Sequence, residues 1–407
     1  LFKDTIIIVY LKNSKSQFSK HTMTVNIKSQ VTFSAILLMS LFQLEGQKFT
    51  DRILWQEGTG NYKNYRIPSV ISTVEGTLLA FCEGRDGGDS GDIDLLMKSS
   101  HDGGKSWSSE KVIWNDGKNT CGNPCPVIDA STGRIWLIMT WNNGQDSESE
   151  IITKTSKDTR LPYSCYSDDD GLTWSVPQKI ENAKDPSWGW FATGPGIGIQ
   201  VKSGPHKGRL VIPSNYSFDD PEGTIAKGPY SYGSQALISD DHGATWRMSQ
   251  PIRPGCNEAQ VTELADGRLL MNMRSYNRKY SRAISTSSDG GETWSEVKHD
   301  PQLVESMCQG SIVSGTYKGK AIQLFSNPAV PSGRTHMTIK CSFDNCASWT
   351  NSKLVLAGPS AYSCLISLPG GHTGIFFECG DKNAYKTLRF LKFRTADLFT
   401  PRAIINE

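Results

Sequence analysis

The sequence predicts an all-β fold, a β-propeller of six blades, from three observations. An octapeptide of the form S-x-D-x-G-x-[ST]-W recurs along the chain. The segments around it read as strands, among them Thr77-Leu-Leu-Ala-Phe81, Arg134-Ile-Trp-Leu-Ile-Met139 and Arg268-Leu-Leu-Met-Asn272. No stretch of about 12 residues carries a convincing amphipathic helix period. Hairpins repeating every 50–70 residues or so indicate blades, and about 360 residues at roughly 60 per blade give six.

In chain order, the first element is a leader. Val31 to Phe42 is an apolar run, VTFSAILLMSLF, preceded by Lys28 and followed by Leu44-Glu45-Gly46-Gln47. It is too short to span a bilayer and has the shape of a secretory signal peptide, with Met23 as a natural start. The expected division is 1–46 as a leader that is removed and 47–407 as the propeller. Secretion, or a lumenal and even lysosomal location, follows from that expectation. Five of the 43 Lys and Arg and two of the 41 Asp and Glu lie in 1–46, leaving 38 and 39. Such a balance excludes a generic basic nucleic-acid binder.

The octapeptides are Ser100–Trp107, Ser167–Trp174, Ser239–Trp246, Ser287–Trp294 and a worn copy, Ser342–Trp349, with Cys346 in place of Gly. Their central Asp residues are 67, 72, 48 and 55 positions apart. Asp and Ser are expected to cap backbone N–H groups in a tight turn, with Gly at positive φ and Trp packed beneath. One reliably placed Asp per copy is too few for a dedicated calcium site. The repeats read as structural corners away from the chemistry.

All ten Cys fall after the leader. An even count in a secreted chain suggests disulfides, with Cys121–Cys125 and Cys341–Cys346 as local candidates. The spacing lacks the paired pattern of a zinc ribbon, so no metal site is expected. Asn215-Tyr216-Ser217 is a glycosylation sequon if its loop is exposed.

Tyr65-Arg66-Ile67-Pro68 followed by this run of octapeptides resembles the sialidases (neuraminidases), in particular the retaining exo-sialidases with Asp boxes shared by bacteria and animals. The resemblance covers roughly residues 50–400. It implies a hydrolase of terminal sialic acid on glycoproteins, glycolipids and oligosaccharides, acting without metal or organic cofactor. It also implies three Arg from different blades for the substrate carboxylate, which a guanidinium grips through a planar fork. Arg66, Arg274 (in Met271-Asn-Met-Arg-Ser275) and Arg334 (in Ser332-Gly-Arg-Thr-His-Met337) match them.

The family nucleophile is matched by Tyr362, in Ala361-Tyr362-Ser363-Cys364, and its partner base by Glu258. Tyr avoids the repulsion that a carboxylate nucleophile would meet from the substrate's own carboxylate, and sialidases are known exceptions to the two-carboxylate rule. The acid/base is expected in the loop Glu83–Asp94. Asp89 sits five before Asp94 as in the family but only four after Arg85, so Asp92 and Asp86 stay open as alternatives. Arg85 is expected to contact substrate, and Glu378, in Phe376-Phe-Glu-Cys379, to orient Arg66. Trp141-Asn-Asn-Gly-Gln-Asp146 is a candidate lining for the N-acetyl side, with Asp146 hydrogen-bonding the sugar. Trp188, Trp190 and Thr193–Gly196 are candidates to complete it, against the alternative of ordinary core tryptophan.

Two other activities would keep the same residues, trans-sialidase and intramolecular trans-sialidase. A non-catalytic sialic-acid-binding propeller is a further alternative, disfavoured because Tyr362, Glu258 and an acid are all present. The expected partners are sialylated glycoconjugates, with no stable membrane insertion and a monomeric chain.

Overall fold

The computed structural model describes residues 5–12, 18–25, 49–223, 229–401 and 404–405. The chain divides into Leu1–Lys48 and Phe49–Glu407. In the first unit, Thr5–Lys12 pairs antiparallel with Phe18–Val25, and Met23 lies opposite Ile7. The apolar run 31–42 falls outside the described residues.

The second unit is built from strands. Its helices among the described residues are Glu148–Thr153 and the 3-10 turn Thr395–Phe399. No described helix is long and apolar enough to cross a membrane. Four sheets follow one another in sequence, with eight, five, four and seven strands. Neighbours pair antiparallel as successive hairpins, apart from a parallel bridge of Ile93 with Thr120. The last sheet runs from Ser311–Tyr317 to Thr387–Arg394, whose far edge is taken by Thr50–Gln56.

Burial grades across the sheets. Leu78–Arg85 is buried at all eight positions, whereas Lys111–Trp114, at an edge, is exposed or half-buried throughout. Fully buried strands read as continuous apolar runs, which is why strict alternation is missing from Leu78-Leu-Ala-Phe-Cys82.

The five octapeptide turns share one hydrogen-bond pattern. In the first, Asp102 Oδ1 accepts from the Ser106 N–H (2.9 Å) and the Ser100 hydroxyl (2.9 Å), and Ser100 Oγ accepts the Gly104 N–H (2.8 Å). The bonds repeat around Asp169, Asp241, Asp289 and Asp344. The fourth and fifth positions are left-handed in every copy, as at Gly103 (φ 71°) and Gly104 (φ 91°). Gly fills the fifth position in four copies, and Cys346 holds φ 65° in the last.

The turns pack on residues from elsewhere in the chain. Trp107 meets Phe390 edge-on at 5.2 Å and Trp174 meets Phe81 at 5.8 Å. A Cβ on Gly243 would lie 2.2 Å from the Trp136 indole, so glycine is needed there on both counts.

Two expectations are corrected. All ten cysteines are free and buried. Cys121 packs with Phe81 and Leu137 while Cys125 packs with Phe191 and Ile212, so the two face different cores across a bulge; Cys341 and Cys346 are likewise divided between two cores. The Asn215 sequon lies within strand Leu210–Asp219 at 1% exposure, with its amide donating to the Ala192 carbonyl, so it offers no site for glycan.

Candidate active site

Four register breaks surround the sequence-predicted residues, and three of them carry one: Arg66, Glu258 and Tyr362. The shifts fall between Arg66 and Ser69, Gly122 and Cys125, Cys256 and Ala259, and Ser360 and Ser363. A bulge leaves residues outside the ladder and re-aims their side chains, a common device beside active sites. Pro68 and Pro124, which have no N–H to give to a ladder, fall inside two of them. Ile67, in the first, holds φ 62°, an uncommon value for a β-branched residue.

Two of the bulges, those at Arg66–Ser69 and Ser360–Ser363, meet at Glu378, which is fully buried. Its Oε1 accepts from Arg66 Nε (2.9 Å) and the Ile67 N–H (3.1 Å), and its Oε2 from Arg66 Nη2 (3.1 Å) and the Tyr362 N–H (3.1 Å). One carboxylate thus fixes the first arginine and the backbone of the tyrosine. Burial works against the Arg66 charge, but Glu378 outweighs it and holds the guanidinium firmly protonated.

Tyr362 is at the centre of the cluster. Its hydroxyl donates a short hydrogen bond to Glu258 Oε1. Arg274 Nη1 bridges Glu258 Oε2 (2.8 Å) and the Tyr362 oxygen (3.2 Å). The Arg66 and Arg334 guanidinium carbons lie 5.0 and 5.4 Å from the Tyr362 ring centroid. Tyr362 packs in one buried cluster with Ile67, Cys308, Ala361 and Ala384. Burial, then Glu258, push the phenol well above its ordinary pKa against the pull of three arginines, so the proton stays on Tyr362 and points at Glu258.

Of the three arginines, Arg334 donates to a neutral group, the Tyr385 hydroxyl at 2.9 Å. Arg66 and Arg274 each hold a carboxylate.

Asp89 Oδ1 meets Arg85 Nη1 at 2.5 Å and Arg66 Nη1 at 3.5 Å, with the side chain 74% exposed. Burial pulls its carboxyl up, but Arg85 and Arg66 win and hold it below the usual carboxylate range. Asp94 is committed elsewhere, accepting from the Tyr62 hydroxyl and the Asn115 amide, both at 2.6 Å. Asp86 and Asp92 join through backbone, the Asp86 N–H donating to the Asp92 carbonyl at 3.3 Å.

Asp146 stands apart from this group. It is 4% exposed, and its two oxygens accept the N–H groups of Lys157 (3.0 Å) and Asp158 (2.9 Å). A carboxylate spent on closing a loop has little left for a sugar hydroxyl. Trp188 is buried and stacked on Tyr216 at 3.6 Å, while Trp141 donates to Asp116.

Several neighbours were not legible in the sequence. Glu148 accepts from the Tyr232 hydroxyl at 3.1 Å, and Tyr232 stacks on Tyr276, over which Arg274 lies at 4.9 Å. Glu305 accepts the Ser275 N–H at 2.8 Å and pairs with fully buried Arg282 at 2.6 Å, anchoring the strand end that carries Arg274. Glu83, 2% exposed, holds Arg85 through Nε at 2.7 Å. Only the last left a signal, since residues two apart on a strand share a face.

A separate cavity of about 690 Å³ opens at the opposite ends of the same strands, lined by Ile71, Ile128, Ile199, Val261, Ile312 and Leu368. None of the groups above lines it, and its charged lining residues are Lys202 and Glu263.

The family model for the BNR repeat-like domain matches residues 76–375. The chain is 31% identical over 349 residues to a sialidase of Micromonospora viridifaciens, covering 82% of this chain and 52% of that one. It is 31% identical over 363 residues to a sialidase of Bacteroides fragilis, with 83% and 63% covered. The chain therefore spans between half and two thirds of these relatives' length. Against a sialidase of Clostridium perfringens it is 31% identical over 360 residues, covering 81% of this chain and 89% of that one. Among solved structures, the Hadza microbial sialidase Hz136 aligns with a TM-score of 0.72 at 31% identity, over 83% and 66% of the two chains. The leech intramolecular trans-sialidase aligns at 0.74 with 19% identity over 88% and 72%, a likeness of fold alone. The octapeptide turns, the arginine cluster around Tyr362 and these relatives together make the chain a member of the sialidase family, with its BNR repeat-like domain and β-propeller-type fold.

Proposed function

We propose that this protein is an exo-α-sialidase that releases terminal sialic acid from glycoconjugates with retention of configuration. One contact carries the reading: the Tyr362 hydroxyl bonded to Glu258 among Arg66, Arg274 and Arg334. The arginines bind the substrate carboxylate, with Arg334 the readiest because, among the described residues, Glu378 and Glu258 hold Arg66 and Arg274 while Arg334 donates to the Tyr385 hydroxyl.

Glu258 takes the phenol proton as Tyr362 attacks the anomeric carbon, and Asp89 gives a proton to the leaving oxygen. Water then cleaves the tyrosyl–sugar bond, with Asp89 as base. In the free protein Arg85 and Arg66 keep Asp89 ionised. A substrate carboxylate brought to Arg66 offsets that positive charge and lifts the Asp89 carboxyl towards the protonated form an acid needs.

Six blades fit the same reading. Contacts run from Asn64–Ser72 to Thr120–Ile128, on to Ile199–Gln200, Cys256–Glu263, Ser311–Tyr317 and Asn351–Leu368, and back to the first, which supports six units about one axis. Delivery outside the cytosol, with residues 1–46 removed, is part of the proposal. Sequencing the amino terminus of the exported protein tests it, and a terminus upstream of Gln47 argues against it.

The deciding experiment is incubation with a fluorogenic sialoside while NMR follows the first sugar released. The α-anomer of free sialic acid is expected. The β-anomer would refute retention, and an anhydro-sugar would assign the chain to intramolecular transfer.

A further inference from the structure

We propose that Glu83 is a positioning residue for the general acid: by fixing Arg85 edge-on, it sets how Asp89 is presented to a leaving group. The inference rests on Asp89 being that acid. It also gives a role to a buried carboxylate that the mechanism above leaves unused.

Glu83 and Arg85 share a face of strand Leu78–Arg85. Glu83 Oε2 accepts both Arg85 Nε (2.7 Å) and Nη2. Its Oε1 accepts the N–H of Asn123 at 2.7 Å, which the bulge in Thr120–Ile128 frees from the ladder. The fit is close, since a Cβ on Gly122 would lie 2.5 Å from Glu83 Oε1. Arg85 is left with Nη1, which points at Asp89 Oδ1 (2.5 Å) and the Gly88 carbonyl (3.3 Å).

The arrangement repeats that of Glu378 and Arg66. There too a buried Glu takes Nε and Nη2 together with backbone N–H groups of a bulge, and Nη1 is turned to Asp89. Asp89 therefore meets two guanidiniums, each clamped from behind by a carboxylate. The acid itself is on a looser support: Gly88 and Gly91 have nothing within 4 Å of an added Cβ. Two fixed cations and one adjustable carboxylate make a device in which the cations' net charge governs the acid.

The charged groups around the pair are few. Arg66, Arg85 and Arg334 act on Asp89, and Glu148 feels its charge; Arg85 and Arg160 face Glu83. Removing the Glu83 charge leaves Arg85 uncompensated beside Asp89. Asp89 then holds its proton only at lower pH, so the alkaline limb of kcat/KM, where the acid deprotonates, moves to lower pH.

The test compares wild type, Glu83→Gln, Glu83→Asp and Gly122→Ala on an alkyl-linked sialoside and an aryl sialoside across pH. Aryl turnover reports folding, because an aryl oxygen leaves with little acid help. In Glu83→Gln we expect alkyl turnover to fall about 10- to 100-fold and aryl turnover by less than about 3-fold, with the alkaline limb shifted to lower pH. Glu83→Asp, which keeps the charge, is expected to recover part of both. Gly122→Ala displaces the carboxylate without removing it and should show the same split in weaker form. Equal losses on both substrates with an unmoved limb would overturn the inference. A wild type that turns over neither substrate would instead overturn the sialidase reading on which it depends.

Discussion

The octapeptide turns and the arginine cluster both depend on carboxylates that accept several donors, but they draw on different distances. Each turn Asp is satisfied within four residues of itself, as Asp102 is by Ser100 and Ser106. Glu378 instead gathers Arg66 and Ile67 from more than 300 residues away, and the Tyr362 backbone as well. The hydrogen-bond frame of each turn is local and is copied five times. The cluster exists once, because it needs several strands to arrive together. Damage to a turn should therefore cost stability with little effect on chemistry, while damage to the cluster should do the reverse.

The sharpest test is Tyr362→Phe, which removes one oxygen from the cluster. Turnover is expected to fall on the order of 10³-fold or more in steady-state assays, with a sialic-acid analogue still bound and the unfolding midpoint close to wild type. Unchanged hydrolysis would remove Tyr362 as nucleophile. Glu378→Gln crosses the two categories, since it leaves Arg66 buried without its counter-charge. Denaturant unfolding should show a loss of about 3 kcal/mol together with loss of activity.

On the side of the turns, Gly243→Ala forces a Cβ against Trp136 at φ 89°. We expect a loss of about 2 kcal/mol in the same unfolding experiment, with kcat unchanged. The mildest perturbation is acid. Burial pulls the Asp289 carboxyl up, but hydrogen bonds from Thr293 and Ser287 prevail and bring it down to about 2. A group lower in the folded than in the unfolded chain stabilises fully above the unfolded value, near 4, and loses that contribution as pH falls through 2. Thermal melts from pH 5 to 2 should steepen in that window, and less so in Asp289→Asn. A melt insensitive to this substitution would show that the turns do not carry acid-labile stability.

The same contrast of distance explains what the sequence disclosed. The turns are readable because the Ser–Asp frame that shapes them, left-handed positions included, lies inside the repeat. Arg66, Arg274, Arg334, Tyr362, Glu258 and Glu378 were found through a family resemblance, and spacing alone would not have joined them. The bulges that aim them were invisible, although Pro68 and Pro124 marked two. Glu83 stands in the sequence at the head of an acidic loop, yet it belongs to strand Leu78–Arg85 and is 2% exposed. Asp146 looked available because nothing local showed that Lys157 and Asp158 would claim it. The cysteines paired well by count, but count says nothing about which core each thiol faces.

The edge strand Thr50–Gln56 has a consequence for synthesis. It pairs with Thr387–Arg394, so about 330 residues must be translated before it finds its partner. At ribosomal rates that is a wait of roughly 20–70 s. During it, Leu54 and Trp55, buried at 5% and 3% in the finished fold, have no sheet to cover them. The earliest strand of this unit is thus among the last to be placed. A nascent chain stalled before residue 387 should be cut near Leu54 by proteases that the completed protein resists.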